Sequence, residues 1–207
     1  TTCIESRRKP EAHMPGIHRR MNITDLHQCP QPGQYFAASE GYVAAVYHIL
    51  HHAATKALLF ISVVGLSNVS GGSKQFPDLR GAGYRHRSAG VAFAVGSFSM
   101  VGLPMFSGFI SKYLFATAAM AASPKKVFLT LVVLAISTIL NAIYFIHTVV
   151  TIYTPVEDET AEQERRHWHE KPWVTISLVI FIGLNFMLGI YSQPVVDLIT
   201  QGLRMFG

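Results

Sequence analysis

The segment from residue 89 to residue 122 constrains the fold more than any other part of the sequence. It is 34 residues long, and Lys112 is its only charged side chain. About 20 apolar residues cross the hydrocarbon core of a bilayer as a helix, so this segment is long enough to span a membrane. Gly102, Pro104 and Gly108 interrupt it, and proline removes a backbone donor from a helix. The sequence therefore predicts a membrane-spanning helix that is broken around these three residues.

Four apolar blocks of this kind predict an all-α membrane protein. Half of the 207 residues are hydrophobic and only 14% are charged, and polar connections separate the blocks. The predicted spans are residues 40–66, 89–122, 127–153 and 173–191. They form a transmembrane helical region over residues 35–203, which follows a polar basic arm at 1–34 and precedes a tail at 204–207. The arm has no apolar run and is expected to be disordered or foreign to the native protein.

The distribution of charge argues against a nucleic-acid partner. All but two of the 17 lysines and arginines lie in the arm, the loops and the tail, which leaves Lys56 and Lys112 inside the spans. A nucleic-acid interface requires a basic stripe interleaved with aromatic residues, and the sequence has none. Cys3 and Cys29 both lie in the arm, so neither a disulfide framework nor a metal site is expected. The expected partner is the lipid bilayer of the cell (inner) membrane, crossed several times, with an orientation that depends on whether the basic arm is native.

Ionisable side chains inside the predicted spans are the candidates for chemistry. His48, His52 and Lys56 are spaced at i, i+4 and i+8, which places them along one face of the first helix. Lys112 in the broken span and His147 in the third span complete the set. Histidines titrate near neutral pH, and an ionisable group inside a span is costly unless it has a function. We therefore expect these five residues to form a proton or ion pathway.

Structural roles are the alternative for the same residues. For the stripe formed by His48, His52 and Lys56, and also for His147, the alternative is a packing role alone. For Lys112 the alternative is a snorkelling position near the membrane interface. His51 lies beside the stripe and is expected to make a packing contact. Three imidazoles at His48, His51 and His52, without thiolates or carboxylates, do not suit a metal site. Because no cofactor-binding motif occurs, we expect no cofactor and no redox or hydrolytic chemistry in the chain itself.

The spans contain no Asp or Glu deep within them, which leaves both buried lysines without an acidic partner in the sequence. A buried lysine normally pairs with a carboxylate or loses its proton. Either the partner lies on a segment outside this chain, or Lys56 and Lys112 are often neutral. A neutral amine inside a membrane is able to take up and release protons.

The identity and order of these motifs resemble a known family of membrane proteins. The first motif is His48-x-x-x-His52-x-x-x-Lys56-Ala57-Leu58-Leu59-Phe60. It is similar to the histidine/lysine helix of antiporter-like proton-conducting subunits. The second resembles the discontinuous helix of that family with its central lysine, and reads Gly102-Leu103-Pro104-x-x-Ser107-Gly108-Phe109-Ile110-Ser111-Lys112. Two further stretches are similar as well: Asn141-Ala142-Ile143-Tyr144-Phe145 and Leu188-Gly189-Ile190-Tyr191. The family includes the large membrane subunits of NADH:quinone oxidoreductase, Mrp-type cation/proton antiporter subunits and membrane-bound hydrogenase subunits.

The resemblance implies a fold, a mechanism and partners. Family members contain two inverted repeats, each with a broken helix, and a lysine/histidine axis in the membrane interior. Carried over by position, His48, His52 and Lys56 would relay protons toward Lys112, which would lie near the exit half-channel. The implied partners are other membrane subunits of a multisubunit complex, with protons or Na⁺ as the transported ions.

Departures from the family pattern leave the activity of this chain open. Only the second repeat and the residues after it are recognised, so the chain is expected to be a C-terminal fragment of an ion-translocating subunit. The alternative is a truncated, non-conducting structural remnant. Met105 stands where many members have a second proline, and Tyr113 stands where some members have an acid. The latter slightly favours an Mrp-type antiporter over a subunit of an NADH:quinone oxidoreductase-type translocase.

Overall fold

The computed structural model describes residues 32–73, 75–121, 124–155 and 172–206, which contain helices and no strand. The seven helices are α1 (Pro32–Val69), α2 (Ala82–Arg85), α3 (Arg87–Val101), α4 (Ser107–Met120), α5 (Pro124–Ile152), α6 (Pro172–Ile190) and α7 (Ser192–Phe206). Three of the long helices begin at a proline, whose missing N–H costs nothing in a first turn. The all-α class is thus confirmed. Nearly all of the predicted arm, and most of the loop before the last predicted span, lie outside the described residues.

Three helices have the length and the apolar composition to cross a membrane: Ser39–Val69, Val127–Ile152 and Pro172–Ile190. They coincide with the first, third and fourth predicted spans. The second predicted span, residues 89–122, is divided between α3 and α4, which contain 15 and 14 residues. Neither helix alone is long enough to cross a bilayer. That these two helices together make a fourth crossing therefore stays a prediction.

Helix α1 lies at the centre of the described part of the chain. Helices α3, α4, α6 and α7 pack against it, and α5 packs against α3 and α4. An apolar cluster that includes Phe93 and Ile152 joins α1, α3 and α5. A second cluster joins α1, α3 and α6 through Leu58, Ala92 and Leu178. These contacts hold the polar side chains of α1 against the neighbouring helices.

Residues 102–106 separate α3 from α4. Gly102 ends α3 in the left-handed conformation with φ 88°, and its N–H donates to carbonyls of the preceding turn. Met105 also has a positive φ, 79°, which strains a residue that carries a side chain. Gly108 belongs to the first turn of α4, where the absence of a side chain lets the carbonyl of Ser99 approach closely. The last turn of α3 therefore lies directly against the first turn of α4.

Helix α6 packs against this break. Gly189 lies on the backbone of Met105 and Phe106, at a place where a side chain would overlap the Met105 carbonyl oxygen. One residue earlier, the carbonyl of Leu188 accepts a hydrogen bond of 2.5 Å from the Tyr47 hydroxyl of α1. Helix α6 is thereby held between the central helix and the break.

Candidate functional site

The amine of Lys112 lies at the C-terminal end of α3, where the helix break begins. Its Nζ donates to the carbonyl oxygen of Val101 at 2.5 Å and to the hydroxyl of Thr138 at 2.8 Å. Val101 is the last residue of α3, so its carbonyl has no partner within the helix. The C-terminus of a helix carries partial negative charge, which stabilises a nearby cation. A helix end and a hydroxyl of α5 thus take the place of the carboxylate that the sequence lacks.

A cavity of about 460 Å³ opens beside this amine, between α1, α4 and α5. Its polar lining comes from all three helices and consists of His48, His51, His52, Ser111, Lys112, Thr130, Ser137 and Asn141. Apolar side chains such as Phe115 and Leu134 make up the rest of the wall. A cavity of this size with polar groups in its wall has room for several water molecules. Lys112 and the three histidines therefore border the same cavity.

Two histidines of α1 form hydrogen bonds to serines of α4. The Nδ1 atom of His48 lies 2.7 Å from Oγ of Ser111, and Nδ1 of His51 lies 2.8 Å from Oγ of Ser107. The ring of His52 contacts both other rings, with its centroid 4.1 Å from that of His48 and 5.0 Å from that of His51, and the centroids of His48 and His51 are 6.0 Å apart. His51 is buried, whereas His48 and His52 are half-buried. The three imidazoles therefore form a triangular group beside the cavity, which we name the histidine cluster.

Behind His51 lies a group of fully buried polar side chains, which we name the hydroxyl cluster: Thr55, Ser99, Ser107 and Asn185. The Oδ1 atom of Asn185 accepts hydrogen bonds from the three hydroxyls at 2.9, 2.9 and 3.0 Å. These residues come from α1, α3, α4 and α6, so the cluster joins four helices at the break. Sequence reasoning did not identify it. Its only signal was that Asn185 is the one strongly polar residue of the last predicted span.

Lys56 and His147 lie outside the cavity. Lys56 is exposed on α1, on the same side as Tyr42 and Phe60, which are 66% and 70% exposed. His147 is exposed on α5, and its ring meets that of Phe76 at a centroid distance of 5.4 Å. Of the four predicted pathway residues other than Lys112, the structure places His48 and His52 at the cavity beside Lys112. It places Lys56 and His147 elsewhere.

The three residues predicted to break the helix occupy different positions around the site. Gly102 lies against the Lys112 side chain, where an added Cβ would be 3.0 Å from Nζ. Pro104 is exposed within residues 102–106 and cannot donate a backbone hydrogen bond. Gly108 lines the cavity from the first turn of α4. Two glycines therefore border the functional groups directly.

Known proteins resemble this chain over most of its length. Residues 33–140 match the transmembrane family described as NADH:quinone oxidoreductase/Mrp antiporter. NADH-quinone oxidoreductase subunit N of Geobacter metallireducens is 30% identical over 169 residues, which cover 81% of this chain and 34% of that protein. Subunit N of Geotalea uraniireducens is 25% identical over 167 residues, with the same coverage of 81% and 34%. The antiporter subunit mnhA2 of Staphylococcus haemolyticus is 27% identical over 154 residues, which cover 70% of this chain and 19% of that protein.

The family match includes α1, the break and Lys112, and it extends over more than half of the chain. The chain spans about a third of the length of the subunit N relatives. Because the matched family is a transmembrane one, the membrane location predicted from the apolar blocks is confirmed. The chain belongs to the NADH:quinone oxidoreductase/Mrp antiporter family of membrane subunits.

Proposed function

We propose that this chain forms part of an ion-translocating membrane subunit in which Lys112 takes up and releases protons. The observation that carries the proposal is the position of its amine, half-buried at a helix break and open to a cavity with three imidazoles. Placing a lysine at mid-membrane costs about 2.5–3.5 kcal/mol even on the mildest scale, so such groups usually serve transport. The names of the relatives, an oxidoreductase subunit and an antiporter subunit, support the same function.

The proposed path runs from the histidine cluster through cavity water to Lys112. His48 and His52 are half-buried, their ring centroids are 4.1 Å apart and both line the cavity, so a water molecule in the cavity is able to carry a proton between them. Ser111, which is hydrogen-bonded to His48, immediately precedes Lys112 in α4. The titratable groups in the described lining are imidazoles and an amine rather than carboxylates. This chemistry favours protons over Na⁺ as the ion that the cavity carries.

Lys56 provides the connection to the rest of the assembly in this proposal. It is exposed near the middle of a helix of spanning length, among apolar side chains that are also exposed. A charged side chain that faces lipid at that depth is costly. We therefore propose that another part of the membrane complex covers this side of α1, and that Lys56 passes protons between that part and the histidine cluster. The greater length of the relatives is in keeping with such a neighbour.

The test is the substitution Lys112→Ala in the complete complex, assayed in sealed membrane vesicles with a pH-sensitive dye. We expect proton translocation to fall to the background of uncoupled vesicles because no other side chain in the described part of the chain places an amine at the end of α3. Tyr113→Phe is the matched control, since this neighbouring ring is 56% exposed and its stacking on Phe109 is retained. Native gels of both variants establish that the complex assembles.

Unchanged translocation in an assembled Lys112→Ala complex would show that the chain has a structural role only. Mass spectrometry of the native-gel band then separates the two transport classes. Co-migration with quinone-reducing subunits identifies a redox-driven translocase, and co-migration with small antiporter subunits identifies a cation/proton exchanger. A chain that migrates alone would contradict the proposal.

A further inference from the structure

The hydroxyl cluster determines which atoms donate hydrogen bonds around His51. The side-chain amide of Asn185 donates to the carbonyl oxygen of Phe181 at 3.1 Å. If the amide were rotated by 180°, two carbonyl oxygens would face each other at that distance, so the oxygen of Asn185 must be the atom that faces the three hydroxyls. Thr55, Ser99 and Ser107 lie 2.9–3.0 Å from this oxygen, and each hydroxyl has a single hydrogen to donate.

This arrangement leaves Ser107 and Thr55 only their lone pairs for His51. Their oxygens lie 2.8 and 3.2 Å from Nδ1 of His51. Ser107 also lies 3.1 Å from the hydroxyl of Ser99, which is itself 2.9 Å from the Asn185 oxygen. With all three hydroxyl hydrogens directed to Asn185, Nδ1 is the donor and the proton of a neutral imidazole lies on Nδ1. The second ring nitrogen, Nε2, then carries the lone pair. It has no hydrogen-bond partner among the described residues, and since none of their buried polar side-chain atoms lacks a partner, Nε2 borders open space in the cavity.

We propose that Asn185 is a positioning residue that fixes neutral His51 as the Nδ1–H tautomer and so presents Nε2 to the cavity as a proton acceptor. A proton that arrives through cavity water forms an N–H bond at Nε2 and gives an imidazolium, whose Nδ1–H still donates to Ser107. The same proton leaves from Nε2, which restores the starting tautomer. The cycle needs no rearrangement of the hydroxyl cluster. Its place in transport rests on the proposed function, whereas the tautomer itself does not.

His48 supplies an internal comparison. Its Nδ1 lies 2.7 Å from the hydroxyl of Ser111, at nearly the same distance as His51 from Ser107. Ser111 makes no hydrogen bond to Asn185, so its hydrogen is available for either direction of the bond. The two histidine–serine pairs therefore share their local geometry and differ in the hydroxyl cluster behind one of them. A change at Asn185 should alter His51 and leave His48 as it is.

The experiment is ¹⁵N NMR of histidine-labelled full chain in lipid bilayers, with His51→Gln used to assign the His51 signals. We expect the Nδ1–H tautomer for His51 in the unchanged protein. Asn185→Leu removes the acceptor, frees the Ser107 hydrogen to donate to Nδ1, and should convert His51 to the Nε2–H tautomer. In Asn185→Asp a neutral carboxyl group donates its O–H to the Phe181 carbonyl, its other oxygen still accepts from the three hydroxyls, and the Nδ1–H tautomer should be preserved. The His48 signals should stay the same throughout.

An Nε2–H tautomer in the unchanged protein would overturn the proposal without any variant, so the test does not depend on whether Asn185→Leu folds. Retention of the Nδ1–H tautomer in a folded Asn185→Leu protein would also overturn it. These outcomes differ from a failure of the proposed function, which is measured by translocation in Lys112→Ala vesicles. The expected tautomers together with unaffected translocation would refute the proton path and support the role of Asn185 in setting the tautomer.

Discussion

The contact between α6 and the helix break can be tested with two alanine substitutions on the same helix. A methyl group at Gly189 would overlap the carbonyl oxygen of Met105 and would lie 2.8 Å from the carbonyl carbons of Met105 and Phe106. Helix α6 cannot simply retreat, because the adjacent Leu188 carbonyl is bonded to Tyr47 at 2.5 Å. Gly189→Ala therefore forces a methyl group against the backbone of Met105 and Phe106, and overpacking of this kind costs about 1–3 kcal/mol.

Gly183→Ala is the matched control because a methyl at this position of α6 would have no described atom within 4 Å. Both substitutions gain about 1 kcal/mol of helix propensity, so this gain cancels when the two variants are compared. The difference between their free energies of unfolding should therefore equal the overpacking cost, about 1–3 kcal/mol, with Gly189→Ala the less stable. Titration of the detergent-solubilised chain with SDS, followed by circular dichroism, measures this difference. Equal stabilities, or a more stable Gly189→Ala variant, would refute the contact between α6 and the break.

Two other predictions concern the break and Lys112. Met105 has a φ of 79°, so Met105→Gly should stabilise the fold by about 1 kcal/mol, whereas Met105→Pro should destabilise it because proline fixes φ near −65°. The same SDS titration measures both, and a tolerated proline would contradict the conformation of the break. Thr138→Val removes one acceptor of the Lys112 amine and should cost about 1 kcal/mol and reduce proton translocation. Thr117→Val, whose hydroxyl bonds only to the carbonyl of Leu114 in its own helix, is the control, and equal translocation by the two variants would contradict the role of Thr138.

Helical periodicity in the sequence predicted part of the histidine cluster. Spacing by four residues rotates a side chain by about 40°, so His48 and His52 stay on one side of α1 and both line the cavity. Over eight residues the rotation is about 80°, and Lys56 accordingly lies on the exposed side of the helix. The spacing of α1 therefore predicted that His48 and His52 share a face, whereas Lys56 lies to one side of that face, and the pathway role of all three stays a prediction.

The partners of these groups could not be predicted because they come from other helices. A carboxylate is the usual partner of a buried lysine, whereas the acceptor of Lys112 at Val101 exists only because α3 ends there. His51 was assigned to packing, and its burial agrees with that, but its hydrogen bonds depend on how α4 and α6 meet α1. Asn185 is 130 residues from Thr55 in the sequence, and no local pattern relates them.

The two acceptors of Lys112 have a kinetic consequence. An ammonium has three hydrogens and a neutral amine has two, so the bonds to Val101 and Thr138 are both satisfied in either state. The third hydrogen is the one available to leave, and its loss leaves no carbonyl or hydroxyl without a donor. The end of α3 need not change its structure when Lys112 titrates. Under the proposed function, we therefore expect reorganisation of the protein to add little to the barrier, and we expect the arrival of water at the amine to limit the rate of proton exchange.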